Sequence, residues 1–574
     1  MNYQTWFERR PELLEEEIHS FIEQDLNFLL DEQVKKDMRG IVFKGTVDVN
    51  GEEVELELIY PSEFPSQRIV IKASERNLFR HQNPFEKNLC VIPHDQYGWD
   101  SSMTGAFMVK QAIRLLEDIE TGVEAVEKNE VESPEPWSNY LRFENVPLFI
   151  TEHLPDSLGE TGTFTIARYF GHYYENKEQV TFQDYHYVLE GIKQLGEQFE
   201  LPKTLPFQRW NKPFPLENGL WFHLKEPPNF NIYEPKAVVE ELGHMYGESN
   251  KDVAQLKSQI NKYKFAQLPK NKKGRDQLPP HFAFIFDEEN YERNQYRKAF
   301  IWGVYDFNTK SIKYSKPHYL TKDEHFKRIP ELTSLDSKRV LIAGLGSLGS
   351  AVALELGKSG VGSLMLMDKD MLDVGNLVRH TGTIDYVGMR KTKLLEEQIL
   401  SHYPFAHVEK LDYFIGHDVE VMERIYQKVS EVDLVINLTA EESVIRIFNR
   451  LSLELDKPVI HGWISNGAWG GRVLRTIPMQ TGCYLCESEQ DDITVASSPI
   501  EEIYPRGCGF PTFAGASFDI YGIATQTVRM AVDTLLERKL DYDHIIVQNY
   551  PYPKVEVFPH KRDKDCPLCG VKAE

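Results

Sequence analysis

Apolar residues near the start of the chain recur in two rhythms. Leu14, Ile18, Phe21, Ile22, Leu26, Leu29 and Leu30 fall mostly three and four apart, which predicts an amphipathic helix over residues 14–30. Alternation follows over residues 40–49 and 54–60, and the Asn50-Gly51 between them is a strong hairpin signal. Residues 67–72 predict a third strand beyond a proline-bounded loop, YPSEFP, and residues 103–117 a second helix. In the middle of the chain, residues 148–151, 163–169, 281–286 and 300–305 read as strands and residues 234–264 as a charged helical stretch. Further on, the apolar run from Val340 to Ala343 predicts a buried parallel strand, and residues 348–358 a helix that Gly360 stops.

Between that strand and helix stand Gly344, Gly346 and Gly349. Glycines here allow a sharp turn and close backbone approach to a phosphate, and a helix start offers unpaired N–H groups. Asp368 ends the next apolar run, LMLMD, where a carboxylate can accept ribose hydroxyls. The pattern alone fits a dinucleotide, another nucleotide or a turn that binds nothing. Asn376, Arg379 and Lys391 change the balance, because cations near this loop suit a triphosphate, neutralising charge that moves onto a leaving pyrophosphate.

A chain of 574 residues is long enough for about three or four domains. The formal charge of −23 argues against a nucleic-acid partner, which needs a basic face. No apolar run approaches the length of a bilayer span and the first thirty residues lack a signal-peptide core, so no membrane partner and a cytoplasmic location are expected. Of six cysteines, Cys483 and Cys486 form one C-x-x-C, and Cys566 and Cys569 another. Two such knuckles suit one tetrahedral zinc ion, with redox motifs as the alternative. Cys90 and Cys508 remain single.

The first helix, the meander, the YPSEFP loop, His81, Asn83, Cys90, Trp99 and the second helix together resemble a ubiquitin-conjugating enzyme domain. The resemblance implies that Cys90 carries an acyl group as a thioester and that Asn83 stabilises the oxyanion formed when an amine attacks. His81-Gln82-Asn83 keeps the family's asparagine and loses its proline. A small buried hydrophobe is the alternative for Cys90, and His94 and Asp95 read equally as helpers of the amine or as exposed loop residues.

The motifs GLGSLGS, NLVRH, VGMRK, CYLC, GCGFPTFAGASFDIYGIATQTV and CPLCG, with Asp368, resemble the ThiF/MoeB and ubiquitin-activating adenylation domain. Carried over, ATP would meet Gly344, Gly346 and Gly349, with Asp368 on its ribose and Asn376, Arg379 and Lys391 on its phosphates. The four paired cysteines would hold Zn2+, and Cys508 would accept the acyl group. The family's Mg2+-linked aspartate falls at or beside Ala440, so Glu441 or Glu442 would substitute. A homodimer is implied by the same resemblance.

The expected fold is multidomain: a ubiquitin-conjugating-like α+β domain over 1–145, a linker or scaffold domain over 146–330, and a Rossmann-like α/β adenylation domain over 331–574. Residues 127–137 read as an acidic, proline-bearing connection, and Lys270 to Lys273 as a solvated loop. The domain order resembles fusion enzymes of bacterial CBASS antiphage operons. That likeness implies a CD-NTase C-terminal tail as acyl donor and a protein or small-molecule amine, lysine above all, as acceptor. Two rival readings are a sulfur-carrier adenylyltransferase and a non-catalytic binding platform.

Overall fold

The structure, a computed structural model, describes residues 4–32, 40–78, 80–92, 98–121, 135–141, 143–175, 181–194, 197–200, 217–265, 280–290, 295–306, 309–416, 418–486, 495–499 and 514–570. Two compact units divide it, one within residues 1–318 and the other within residues 319–574.

In the first unit a short helical turn (Trp6–Arg9) precedes helix α1 (Pro11–Glu23) and an antiparallel sheet of β1 (Phe28–Leu30), β2 (Ile41–Val49), β3 (Glu52–Tyr60) and β4 (Val70–Lys72), in that order. Asn50 and Gly51 both take positive φ, 51° and 89°, as a tight hairpin requires. The helix expected over 14–30 ends at Glu23 instead. Asp25 turns left-handed at φ 54°, and residues 28–30 pair with Gly45, Lys44 and Phe43 as a strand. The reversal stacks Phe28 on Phe21 at 5.3 Å, burying two rings that a straight helix would leave apart. Helix α2 (Gly105–Thr121) packs across the sheet, where buried Glu17 accepts the Tyr60 hydroxyl at 2.5 Å and the Gly105 N–H at 2.8 Å.

Eight more strands follow: β5 (Phe143–Ile150), β6 (Thr161–Glu175), β7 (Thr181–Gln194), β8 (Glu197–Glu200), β9 (Glu217–His223), β10 (His281–Glu289), β11 (Tyr296–Asp306) and β12 (Ser311–Tyr319). They form one sheet in the order β5-β12-β11-β10-β9-β6-β7-β8. The helical stretch expected over 234–264 is two helices, α3 (Pro235–Tyr246) and α4 (Lys251–Phe265), because Gly247 sits at φ 88° and ends the first. Their apolar faces (Val238, Leu242, Leu256) pack on Phe282, Phe284 and Phe286 of β10. The Lys270 to Lys273 cluster lies outside the described residues.

The second unit is built on β13 (Arg339–Ala343), β14 (Ser363–Met367), β15 (His407–Leu411), β16 (Leu434–Asn437), β17 (Val459–Ile464), β18 (Gly470–Thr476), β19 (His544–Gln548) and β20 (Lys554–Phe558). Their order is β15-β14-β13-β16-β17-β18-β19-β20, parallel through β17 and antiparallel beyond. Along β13, Val340 and Ile342 join α5 (Ser347–Lys358), α6 (Lys391–His402) and a later helix, residues 517–535, on one face. Leu341 and Ala343 meet α7 (Val419–Ser430) and α8 (Glu442–Leu455) on the other. Helices on both faces and strand order reversing at β13 and β16 make the carboxyl ends of these two strands the place for a ligand.

Candidate functional site

The loop after β13 holds its shape through glycine. Gly344 takes φ 85°, and a Cβ there would stand 2.7 Å from the Thr439 nitrogen that follows β16. A Cβ on Gly349 would sit 1.8 Å from the Gly344 carbonyl oxygen, so the first turn of α5 can lie against the loop only without a side chain. Gly346 has open space where its Cβ would be. The first two glycines fit the turn to the sheet, and the third leaves room for something else.

Asp368 reaches this loop directly, its Oδ2 accepting the Leu345 N–H at 2.7 Å and its Oδ1 the Asp370 N–H at 2.8 Å. The carbonyl of Leu345 is held as well, by His380 Nε2 at 3.0 Å. Gly382 N–H donates to His380 Nδ1 at 2.9 Å, which fixes Nε2 as the protonated nitrogen. Burial drives this imidazole down to about 4, with the charge of Lys391 adding to the shift, so the ring is neutral at pH 7. His380 is a positioning residue that the sequence reading passed over inside NLVRH. A histidine in a motif gives no signal that its partner is a carbonyl thirty-five residues away.

Asn376 and Arg379 share one turn with His380, since the Asn376 carbonyl accepts both the Arg379 and the His380 N–H. Asn376 Oδ1 is used locally, accepting the Asp373 N–H at 3.1 Å, and partial burial lowers the Arg379 pKa. Lys391 opens α6, buried, with Nζ 3.0 Å from Asp370 Oδ2. After β16, Glu442 accepts the Tyr484 hydroxyl and pairs with Arg446 at 2.8 Å, and these, the tyrosine first, hold its carboxyl below the usual range. Glu441 is exposed, and among the described residues its carboxylate has no hydrogen-bond or ion-pair partner.

Cys483, Cys486, Cys566 and Cys569 converge, their sulfurs all within 4.8 Å of one another. Separations of 3.6 Å (Cys483 to Cys566), 3.9 Å (Cys483 to Cys486) and 3.3 Å (Cys486 to Cys569) bracket the spacing of about 3.8 Å that four thiolates take around zinc. The Cys483 and Asp563 N–H groups point at Cys486 Sγ, each at 3.4 Å, as donors that steady a thiolate. The donor set fits Zn2+. Cys508 lies outside the described residues.

In the first unit, Cys90 is half-buried and its N–H donates to the His81 carbonyl at 2.7 Å. Burial, then the charge of Glu135, raises the thiol pKa. Asn83 Oδ1 accepts the Phe85 and Glu86 N–H groups at 2.9 Å each, which sets a turn and leaves the amide nitrogen as its donor. Gln82, standing where the resemblance expects proline, is buried and cross-braced: Oε1 accepts Leu78 N–H at 2.8 Å and Nε2 donates to the Ala73 carbonyl at 2.9 Å. His94 and Asp95 lie outside the described residues.

Part of the stretch read as a connection packs instead. Glu135 accepts the His81 N–H at 2.7 Å and faces His81 Nδ1 at 3.1 Å, while Trp137 meets Phe85 and Phe286 edge-on. Burial works against the Glu135 charge, but the bonds from His81 hold its carboxyl low.

Comparison with known proteins fits this division. Residues 324–561 match the ThiF family. Residues 24–146 match the family described as Prokaryotic E2 family B, so the chain carries a ThiF adenylation domain and an E2-like domain. Among similar proteins, y4oA of Sinorhizobium fredii is 24% identical over 524 residues, spanning 84% of this chain and 82% of that one. The ATP-dependent ubiquitin transferase-like protein Cap2 of Enterobacter hormaechei is 27% identical over 214 residues, 36% of this chain and about a third (35%) of its own length. A crystal structure of Escherichia coli MccB with MccA-N7isoASN is 19% identical with a TM-score of 0.35, covering 43% of this chain and 75% of that one. The two family matches support ubiquitin-like activation and conjugation in general. No helix among the described residues is long and apolar enough to cross a membrane.

Proposed function

We propose that this protein is an ATP-dependent transferase that activates the C-terminal carboxylate of a protein and conjugates it to an amine. One observation carries the reading: a single chain matches an adenylation family over residues 324–561 and a conjugating family over residues 24–146. An adenylating enzyme alone has no use for the second.

The chemistry runs in three steps. The donor carboxylate attacks the α-phosphate of ATP, forming an acyl-adenylate and releasing pyrophosphate. The Cys508 thiolate displaces AMP to give a thioester, which the Cys90 thiolate takes over while Cys508 leaves as thiolate. A lysine amine then attacks at Cys90. Asp368 and the glycine loop place the nucleotide, Arg379 and Lys391 neutralise its phosphates, and Asn376 completes the phosphate contacts. Glu441, whose carboxylate has no partner among the described residues, would hold Mg2+, which supplies charge neutralisation on the phosphates. The amide nitrogen of Asn83 would face the oxyanion at Cys90. Zn2+ on the four cysteines would tie residues 566 and 569 to residues 483 and 486. The resemblance to CBASS fusion enzymes makes a CD-NTase tail the donor, and the resemblance to the adenylation family makes a homodimer the working assembly.

The test is intact-mass analysis of the chain incubated with ATP and the candidate tail. A thioester-linked adduct that is lost in Cys508→Ala, and retained on Cys508 but not passed on in Cys90→Ala, is the expected result. Active ATP–pyrophosphate exchange with no adduct on either cysteine would sink the relay.

A further inference from the structure

Against the segment that leads to Cys90 lies a cavity of about 830 Å³, closed on one side by the E2-like domain and on the other by the eight-stranded sheet of the same unit. It has two properties that belong together. Its walls are aromatic: Phe85 meets Trp137 at 5.3 Å and Tyr233 at 5.6 Å between ring centroids. Its charge is negative, with six carboxylates on the lining against two cations, Arg80 and Lys87.

The deep carboxylates are engaged. Glu289 takes Arg80 at 2.5 Å, Glu288 takes Ser138 and Arg297, and Glu135 holds His81. Glu226 is exposed, and Asp287 keeps 55% of its side chain exposed while paired with Lys298, so this part of the lining still presents negative charge to a ligand. Aromatic faces and carboxylates in one cavity select an organic cation, which gains from ring quadrupoles and from charge at once. The volume is ample for an alkylammonium chain with flanking backbone.

One chain of hydrogen bonds links the lining to the Cys90 backbone. Glu135 lines the cavity and binds His81 through both its backbone N–H and its ring, and the His81 carbonyl accepts the Cys90 N–H at 2.7 Å. We propose that this cavity is the seat of the acceptor's primary ammonium, a lysine side chain of a polypeptide, which Glu135 hands on to Cys90. The inference rests on the conjugation reading given above. The ammonium first releases one proton to solvent. The neutral nitrogen then forms a bond to the thioester carbonyl carbon, the carbon–sulfur bond breaks, and the second proton passes to the departing thiolate.

The full-length protein without nucleotide or donor can be titrated with Nα-acetyl-lysine methylamide and with its norleucine counterpart, which lacks the ammonium, using ligand-observed NMR. The lysine compound is expected to bind at least about tenfold more tightly. Glu226→Gln combined with Asp287→Asn, both exposed positions, is expected to weaken it about fivefold, and Cys90→Ala to leave it unchanged. Tyr296→Ala, at a half-exposed ring of the lining, provides a second variant. Equal affinity for the two compounds, no binding of either, or indifference to both variants would overturn the proposal. A thioester on Cys90 without ammonium preference defeats the cavity alone; ammonium preference in a protein that never charges Cys90 defeats the acceptor role and the relay with it.

Discussion

Asp368 Oδ2 accepts the backbone N–H of Leu345 at 2.7 Å, so the carboxylate proposed to meet the ribose is also the brace of the glycine loop. Asp368→Ala should therefore remove two things at once. We expect ATP–pyrophosphate exchange to fall by about two orders of magnitude, with a stability loss of only about 1–2 kcal/mol for the one part-buried charged hydrogen bond. Unchanged exchange would show that the loop neither needs this brace nor uses this carboxylate.

The glycines separate fold from ligand. Gly349→Ala forces a Cβ to within 1.8 Å of a backbone oxygen, so it should destabilise the adenylation unit by about 1–3 kcal/mol, seen as a lower melting temperature. Gly346→Ala meets nothing within 4 Å and should melt as wild type while binding ATP at least about tenfold more weakly. Parallel thermal melts and nucleotide titrations of the two variants check this, and equal melting loss in both would contradict it.

The pH dependence of stability follows from His380. Its folded pKa, about 4, lies below the ordinary 6.5, so between these values the unfolded chain binds a proton that the folded chain refuses. Stability is fully present above about pH 6.5, declines as pH falls, and stops declining from this source below about 4. His461, driven to about 3 by complete burial, acts in the same direction. Urea unfolding at pH 7 and pH 5 should show His380→Gln losing about 2 kcal/mol less than wild type over that interval. An identical loss in both would mean that the ring is not buried neutral.

The four-sulfur cluster should contain one zinc per chain by elemental analysis. Cys566→Ser or a strong chelator should remove it and lower the melting temperature by several degrees, because a metal that links two distant knuckles is folding free energy. A protein that holds no metal and melts the same after chelation would return these cysteines to the redox alternative.

Much of the local structure was legible in the sequence. The Asn50-Gly51 hairpin, the strand into Gly344 and the helix out of it follow from periodicity and turn chemistry that act over a few residues. The pairing of two C-x-x-C knuckles was legible too, because tetrahedral coordination demands four donors and each knuckle offers two.

Tertiary structure decided what depends on distant partners. The helix at Pro11–Glu23 stops where Phe28 gains more by stacking on Phe21 than by continuing a turn, a choice that an apolar spacing of three and four cannot record. Residues 234–264 read as one charged helical stretch, which Gly247 divides in two. Glu135 sat in a stretch whose acidity and proline content read as a connection, and only the packing of Trp137 against Phe85 and Phe286 sets its carboxylate on His81 beside Cys90. Sequence by itself determined which residues could do chemistry, since that is a property of side chains and short spacings. The fold decided which of them meet, because a contact across many residues is chosen by the burial and hydrogen bonding of everything in between.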